Sequence, residues 1–161
     1  MEKFQESLHQ AKKQHHVADH MIYVTYNVVK DPRLLLSAMN NVLNSLTHAT
    51  DALLQYERLF KRIPAFPTNF TSKLLLLKNP CLKRYNLSQN YVFLMNELHT
   101  IITDHKISPV EFSRQDKFVI CSENYHMKTI TINKIKEYLV INKAFLADVD
   151  KIVMKKNGIF R

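Results

Sequence analysis

Positions 4, 8, 11, 15, 18, 22, 25 and 29 read Phe, Leu, Ala, His, Ala, Ile, Thr and Val, an alternating spacing of four and three. Such spacing keeps side chains on one side of a helix, so the chain is predicted to open with a long one. His15 and Thr25 interrupt its apolar stripe, and His15 is expected to be a hydrogen-bonded core histidine. Lys30-Asp31-Pro32 then stops this helix and starts the next. Asp31 suits an N-cap, and Pro32 costs nothing at the first helical position, where its missing N–H would have no partner anyway.

The second stripe is Leu35, Met39, Val42, Leu46, Ala49, Leu53, Tyr56, Phe60 and Ile63, with Asn41, Asn44, His48, Asp51, Gln55, Arg58 and Arg62 on the other side. It predicts a helix of about 45 Å at ~1.5 Å per residue. So short a connection makes the two helices an antiparallel hairpin. Pro64 and Pro67 open a loop, and a shorter helix is expected over 69–78 before Asn79-Pro80 ends it. Ser88 can cap a fourth helix whose buried side is Tyr91, Leu94, Met95, Leu98, Ile101, Ile102 and His105, with Ser108-Pro109 terminating it.

The period then changes. Residues 117–122 and 128–132 are β-branched and roughly alternating, separated by polar residues 123–126, which reads as a small β-hairpin. Asn133 is placed as the cap of a last helix carrying Ile135, Leu139, Asn142, Leu146, Val149 and Val153 in register. Lys155, Lys156 and Asn157 set cations near its negative end, and Gly158 is expected just past the last turn. The fold class is therefore mainly α. It is a helical bundle of four to five helices, led by a long antiparallel helix hairpin, with a small β-hairpin inserted before the last helix. Residues 1–161 form one helical-bundle domain.

Composition removes several function classes. Gly158 is the single glycine, so no phosphate loop, dinucleotide fingerprint or nucleophile elbow exists. Cys81 and Cys121 stand 40 residues apart with no partnering motif, which points to reduced thiols and a cytoplasmic setting. The first seven residues mix both charges and show no secretory signal. The longest aliphatic run is residues 74–77, so no membrane association is expected.

Charge is the informative feature. The 161 residues hold 23 Lys+Arg against 14 Asp+Glu, a formal +9. Between Glu57 and Glu97 lie Arg58, Lys61, Arg62, Lys73, Lys78, Lys83 and Arg84 with no acid among them. Phe60, Phe66, Phe70, Tyr85, Tyr91 and Phe93 are interleaved. Cations for phosphates and rings for bases suit RNA, and these seven residues are the candidate nucleic-acid contacts. The plainer reading is that Phe60, Phe66 and Phe70 pack the core and loop, while Arg58 and Arg62 neutralise a helix end. Lys151, Lys155, Lys156 and Arg161 form a second basic cluster.

Other chemistry is weaker. His16 and His20 stand four apart with His9 upstream, spacing that can bind a metal, but no glutamate follows the first histidine as a zincin requires. A polar helix face explains them as well. His99 and His105 are placed too loosely to do better. Cys81 beside Lys83 and Arg84 could be an activated thiolate, yet no base is assignable, so a buried thiol is the simpler view. Asp148 and Asp150 are two apart on a helix and face apart. No catalytic residue, metal ligand or cofactor is assigned.

A long antiparallel helix pair with further helices and a terminal helix resembles HEPN-type bundles. That resemblance implies either metal-independent RNases or nucleotidyltransferase-associated binding subunits. The nuclease signature, an arginine followed four to six residues later by a histidine, is absent, so no catalytic residue carries over. The blocks Tyr23–Leu35, Tyr56–Pro64 and Pro109–Arg114 are also similar to small uncharacterised archaeal proteins. The expectation is a non-enzymatic module that contacts RNA or a ribonucleoprotein through residues 58–84. The alternatives are a protein partner or homodimer, engaged through the polar side of the second helix, and a divergent HEPN-type RNase.

Overall fold

The computed structural model describes the backbone of residues 2–107, 110–114, 117–121 and 127–159. Helix α1 (Lys3–His20) opens on a capping box in which the Glu2 N–H donates to Gln5 Oε1 at 2.9 Å. It continues through a π turn, Met21–Thr25, into α2 (Tyr26–Val29). Phe4, Leu8, Ala11, Ala18 and Ile22 are buried as their spacing predicts. The wider π turn then advances the buried position from Thr25 to Tyr26. Val29 is consequently 59% exposed instead of closing the stripe.

Lys30 turns left-handed at φ 56°, and its N–H donates to the Tyr26 carbonyl at 2.8 Å. Asp31 Oδ1 accepts the Arg33 N–H at 3.0 Å, so it caps α3 (Arg33–Leu59) as expected. Leu35, Met39, Val42, Leu46, Ala49, Leu53 and Tyr56 are all buried. The helix stops at Leu59, and Lys61 reverses the chain at φ 57°. That reversal takes Phe60 off the stripe, to 42% exposure, while Ile63 returns to the core.

Asn69 Oδ1 accepts the Ser72 N–H at 2.8 Å and caps α4 (Phe70–Leu76). The helix is broken at Asn79-Pro80 as predicted: Asn79 is extended at φ −148° and ψ 115°. A second helical stretch follows the break and leads into α5 (Leu82–Arg84). Ser88 caps α6 (Gln89–Ile107), its Oγ accepting the Asn90 N–H at 3.1 Å. Tyr91, Leu94, Met95, Leu98 and Ile101 are buried on the expected side, and Ile102 and His105 are half-buried. Ser108 and Pro109 lie outside the described residues.

Strands β1 (Val110–Arg114), β2 (Lys117–Cys121) and β3 (Met127–Thr131) form an antiparallel sheet in that order. β2 and β3 are the predicted hairpin, with Phe118 opposite Ile130. β1 adds a strand the pattern did not announce. It is five residues long, and its two-residue link to β2 contains no glycine to mark a tight turn. Phe118, Ile120 and Ile130 join the helical core.

Helix α7 (Ile132–Ile159) begins two residues earlier than expected. Thr131, not Asn133, caps it, its Oγ1 accepting the Lys134 N–H at 3.2 Å. All six predicted stripe positions, from Ile135 to Val153, are buried, and Tyr138 and Phe145 join them. Gly158 falls inside the helix, not past its last turn. The side chains of residues 155–161 lie outside the description. α3 is the hub, packing against α1, α4, α6, α7 and the strands β2 and β3.

Candidate nucleic-acid interface

The site is organised by an acid that precedes the basic interval. Glu57 is fully buried, in the last turn of α3. Its Oε2 accepts from Arg62 Nη1 at 3.2 Å, and its Oε1 pairs with Arg84 Nη1. Arg62 Nη1 also donates to the Tyr85 hydroxyl at 3.0 Å. Burial, and then the Glu57 carboxylate, push the Tyr85 phenol up to about 12. Arg62 further lies over the Phe60 ring, 5.3 Å from its centroid, and Phe60 meets Tyr56 edge-on at 4.9 Å. Two chain segments far apart in sequence, 61–62 and 83–85, are thereby held at one end of the bundle.

Glu57 is the functional residue that sequence reasoning missed. Leu43, Leu46, Thr50, Leu54 and Glu57 are spaced three, four, four and three, and all are buried. This second stripe carried the signal: α3 is covered on two sides, and an acid at its end needs partners.

The structure divides the seven predicted cations. Arg62 and Arg84 are committed to Glu57, and Lys73 pairs with Asp51 at 2.8 Å with both side chains largely buried. The interval is therefore not unopposed, because Glu57 and Asp51 fold into it. Arg58, Lys61, Lys78 and Lys83 are exposed. Lys61 and Lys83 each adjoin an arginine bound to Glu57, so they share the same end. Lys78 lines a shallow groove with Leu82, Gln89, Val92 and Phe93, whose ring is 63% exposed. One face of Phe70 is taken by His99, on which it stacks with centroids 4.0 Å apart and planes 5° from parallel.

A cleft of about 580 Å³ opens on the other side of Arg58. Lys3, Phe4, Asp51, Gln55, Phe66 and Lys73 also line it, from the start of α1, the second half of α3, the proline-containing loop and α4.

The remaining sequence candidates separate. No group of three or more His, Cys, Asp or Glu converges to hold a metal among the described residues, so His9, His16 and His20 do not form a centre. His15 is the core histidine expected: Asn142 Nδ2 donates to its Nδ1 at 2.9 Å, and burial lowers its pKa. Cys81 is a free, fully buried thiol, pushed up to about 12 by burial and by Glu57 against the opposing Arg84. It is not an activated thiolate. Asp148 and Asp150 do face apart: the Tyr91 hydroxyl donates to Asp148 at 2.6 Å, and Asp150 pairs with Lys12 at 2.7 Å. No helix among the described residues is long and apolar enough to cross a membrane. Comparison with protein-family models, curated proteins and solved structures returns no match.

Proposed function

We propose that the protein is a non-enzymatic module that binds single-stranded or loop RNA through Arg58, Lys61, Lys78 and Lys83. The supporting observation is the Glu57 clamp. By holding Arg62 and Arg84, it anchors the segments that carry Lys61 and Lys83 and leaves those lysines exposed on one end. Exposed rings accompany the cations: Phe60 beside Arg62, and Phe93 beside Lys78. Cations that meet phosphates next to rings that meet bases are the elements of sequence-tolerant single-strand binding.

The test is a salt titration of RNA affinity. Each neutralised phosphate contributes about −0.7 to the log–log slope for a single strand, so replacing all four exposed cations by glutamine flattens it by about 3. Helical circular dichroism stays unchanged, because none of the four is held in an ion pair among the described residues. An unchanged slope overturns the assignment.

A second reading, self-association, rests on the outward-facing Val24 of the π turn, Val28 of α2 and Val140 of α7, which are 49%, 81% and 67% exposed. Sedimentation across a hundredfold concentration range tests it; a constant monomer mass rejects it.

A further inference from the structure

We infer that the cleft beside Arg58 is a binding site for a single nucleotide, its phosphate held by Lys3 and Arg58 and its base lying against Phe66. The inference rests on the RNA reading above, because Arg58 belongs to both. At about 580 Å³ the cleft falls within the range of small-molecule sites, roughly 300 to 1,000 Å³. Its lining mixes apolar and charged groups. Phe66 is half-buried and Leu59 is exposed, and both supply apolar surface against which a planar ring can rest.

The opposite requirement, an anion, is met by Lys3 and Arg58, both exposed. Glu2 also lines the cleft and keeps its charge while its side chain accepts a first-turn N–H of its own helix, so Lys3 and Arg58 together outweigh it by one. The lining also holds groups that read polar edges. Gln55 Oε1 accepts the Ser7 hydroxyl at 2.9 Å, so the Gln55 amide N–H₂ is the end left to donate. Asp51 sits deeper, paired with Lys73 at 2.8 Å and only 18% exposed. A carboxylate there accepts the amino or imino hydrogens of a base and repels a second phosphate. One phosphate, one ring and one hydrogen-bonding edge describe a mononucleotide unit. They do not describe a duplex, whose bases present no free face.

The full chain is titrated calorimetrically with AMP, GMP, CMP, UMP and ribose 5-phosphate, which shares the phosphate but lacks a base. At least one nucleotide is expected to bind about tenfold tighter than ribose 5-phosphate, the size of effect that base stacking on a ring supplies. Phe66→Leu, which keeps an apolar anchor for the loop, removes that margin. Arg58→Gln weakens the nucleotide and ribose 5-phosphate alike. Equal binding of nucleotides and ribose 5-phosphate, or no binding of either, overturns the proposal. The double variant Lys61→Gln/Lys83→Gln separates the two readings. A flattened RNA slope with no nucleotide affinity removes the cleft and keeps the RNA surface. Nucleotide affinity with an unchanged slope keeps the cleft and removes the surface.

Discussion

Glu57 and Asn142 are both fully buried polar side chains on helices that bury mostly apolar ones, and the protein satisfies them in opposite ways. Glu57 is met by charge: two arginines from beyond the end of its helix, each still partly exposed to water. Asn142 lies in the interior of the bundle and is met by neutral groups. Its Nδ2 donates to His15 Nδ1 and, at 3.0 Å, to Ser45 Oγ, which donates on to the Ala11 carbonyl at 2.6 Å. An acceptor at Nδ1 places the imidazole proton on Nε2, so this network works with a neutral histidine. Charge is kept where solvent can reach the counter-ions, and dipoles are used where it cannot. A lone charge in the interior would carry a desolvation cost of several kcal/mol.

Removing the charge is the hardest way to break this comparison. Glu57→Gln leaves two arginines converging on a neutral group, and the cost is about 3 kcal/mol, at the low end for a broken buried pair because water reaches both guanidinium groups. Urea denaturation measures it, and a cost under 1 kcal/mol contradicts the clamp. Asn142→Leu is milder, about 1 kcal/mol. Ser45 keeps its bond to Ala11, and the substitution also removes Asn142 Oδ1, which is buried without a hydrogen-bond partner among the described residues. A loss equal to that of Glu57→Gln would show the two networks to be energetically alike.

Acid sharpens the contrast next. Burial lowers the His15 pKa, with Asp19 opposing and Lys143 and His16 reinforcing. The unfolded chain therefore binds the extra proton first, and stability present above the ordinary histidine value near 6.5 is lost as pH falls below it toward the folded value. Between pH 7.5 and 5.5, His15→Gln should lose less stability than the parent chain. Identical losses would mean that His15 is not coupled to folding. The smallest effect concerns Cys81, whose thiol Glu57 helps to hold protonated. In a Cys121→Ser background, native Cys81 should resist a thiol reagent at pH 8, and Glu57→Gln should speed the reaction; fast labelling of the parent contradicts the burial.

Much of the architecture was legible because helix periodicity reports burial directly. The stripe of α3 as far as Tyr56, and the whole stripe of α7, matched the core, and Asn142 was already in register among them. Local chemistry was legible too: Asp31, Asn69 and Ser88 sit where short polar side chains must accept orphan N–H groups, and the first and last of these were expected as caps. The departures have local causes. A π turn moved the buried position to Tyr26, a left-handed Lys61 turned Phe60 outward, and β1 lacked a glycine turn to announce it.

The basic site was legible only as a count of charges along the chain. The sequence by itself determined that Arg58 to Arg84 carries seven cations and no acid, since composition is local information. Only the tertiary structure decided which of them face solvent. Asp51 and Glu57 stand outside that interval in sequence, yet α3 carries both carboxylates into it, where they neutralise Lys73, Arg62 and Arg84. The physical reason is that an ion pair depends on distance through space and on burial. Neither can be read from neighbours along the chain when the partners lie 22 residues or more apart, as do Asp51 with Lys73 and Glu57 with Arg84.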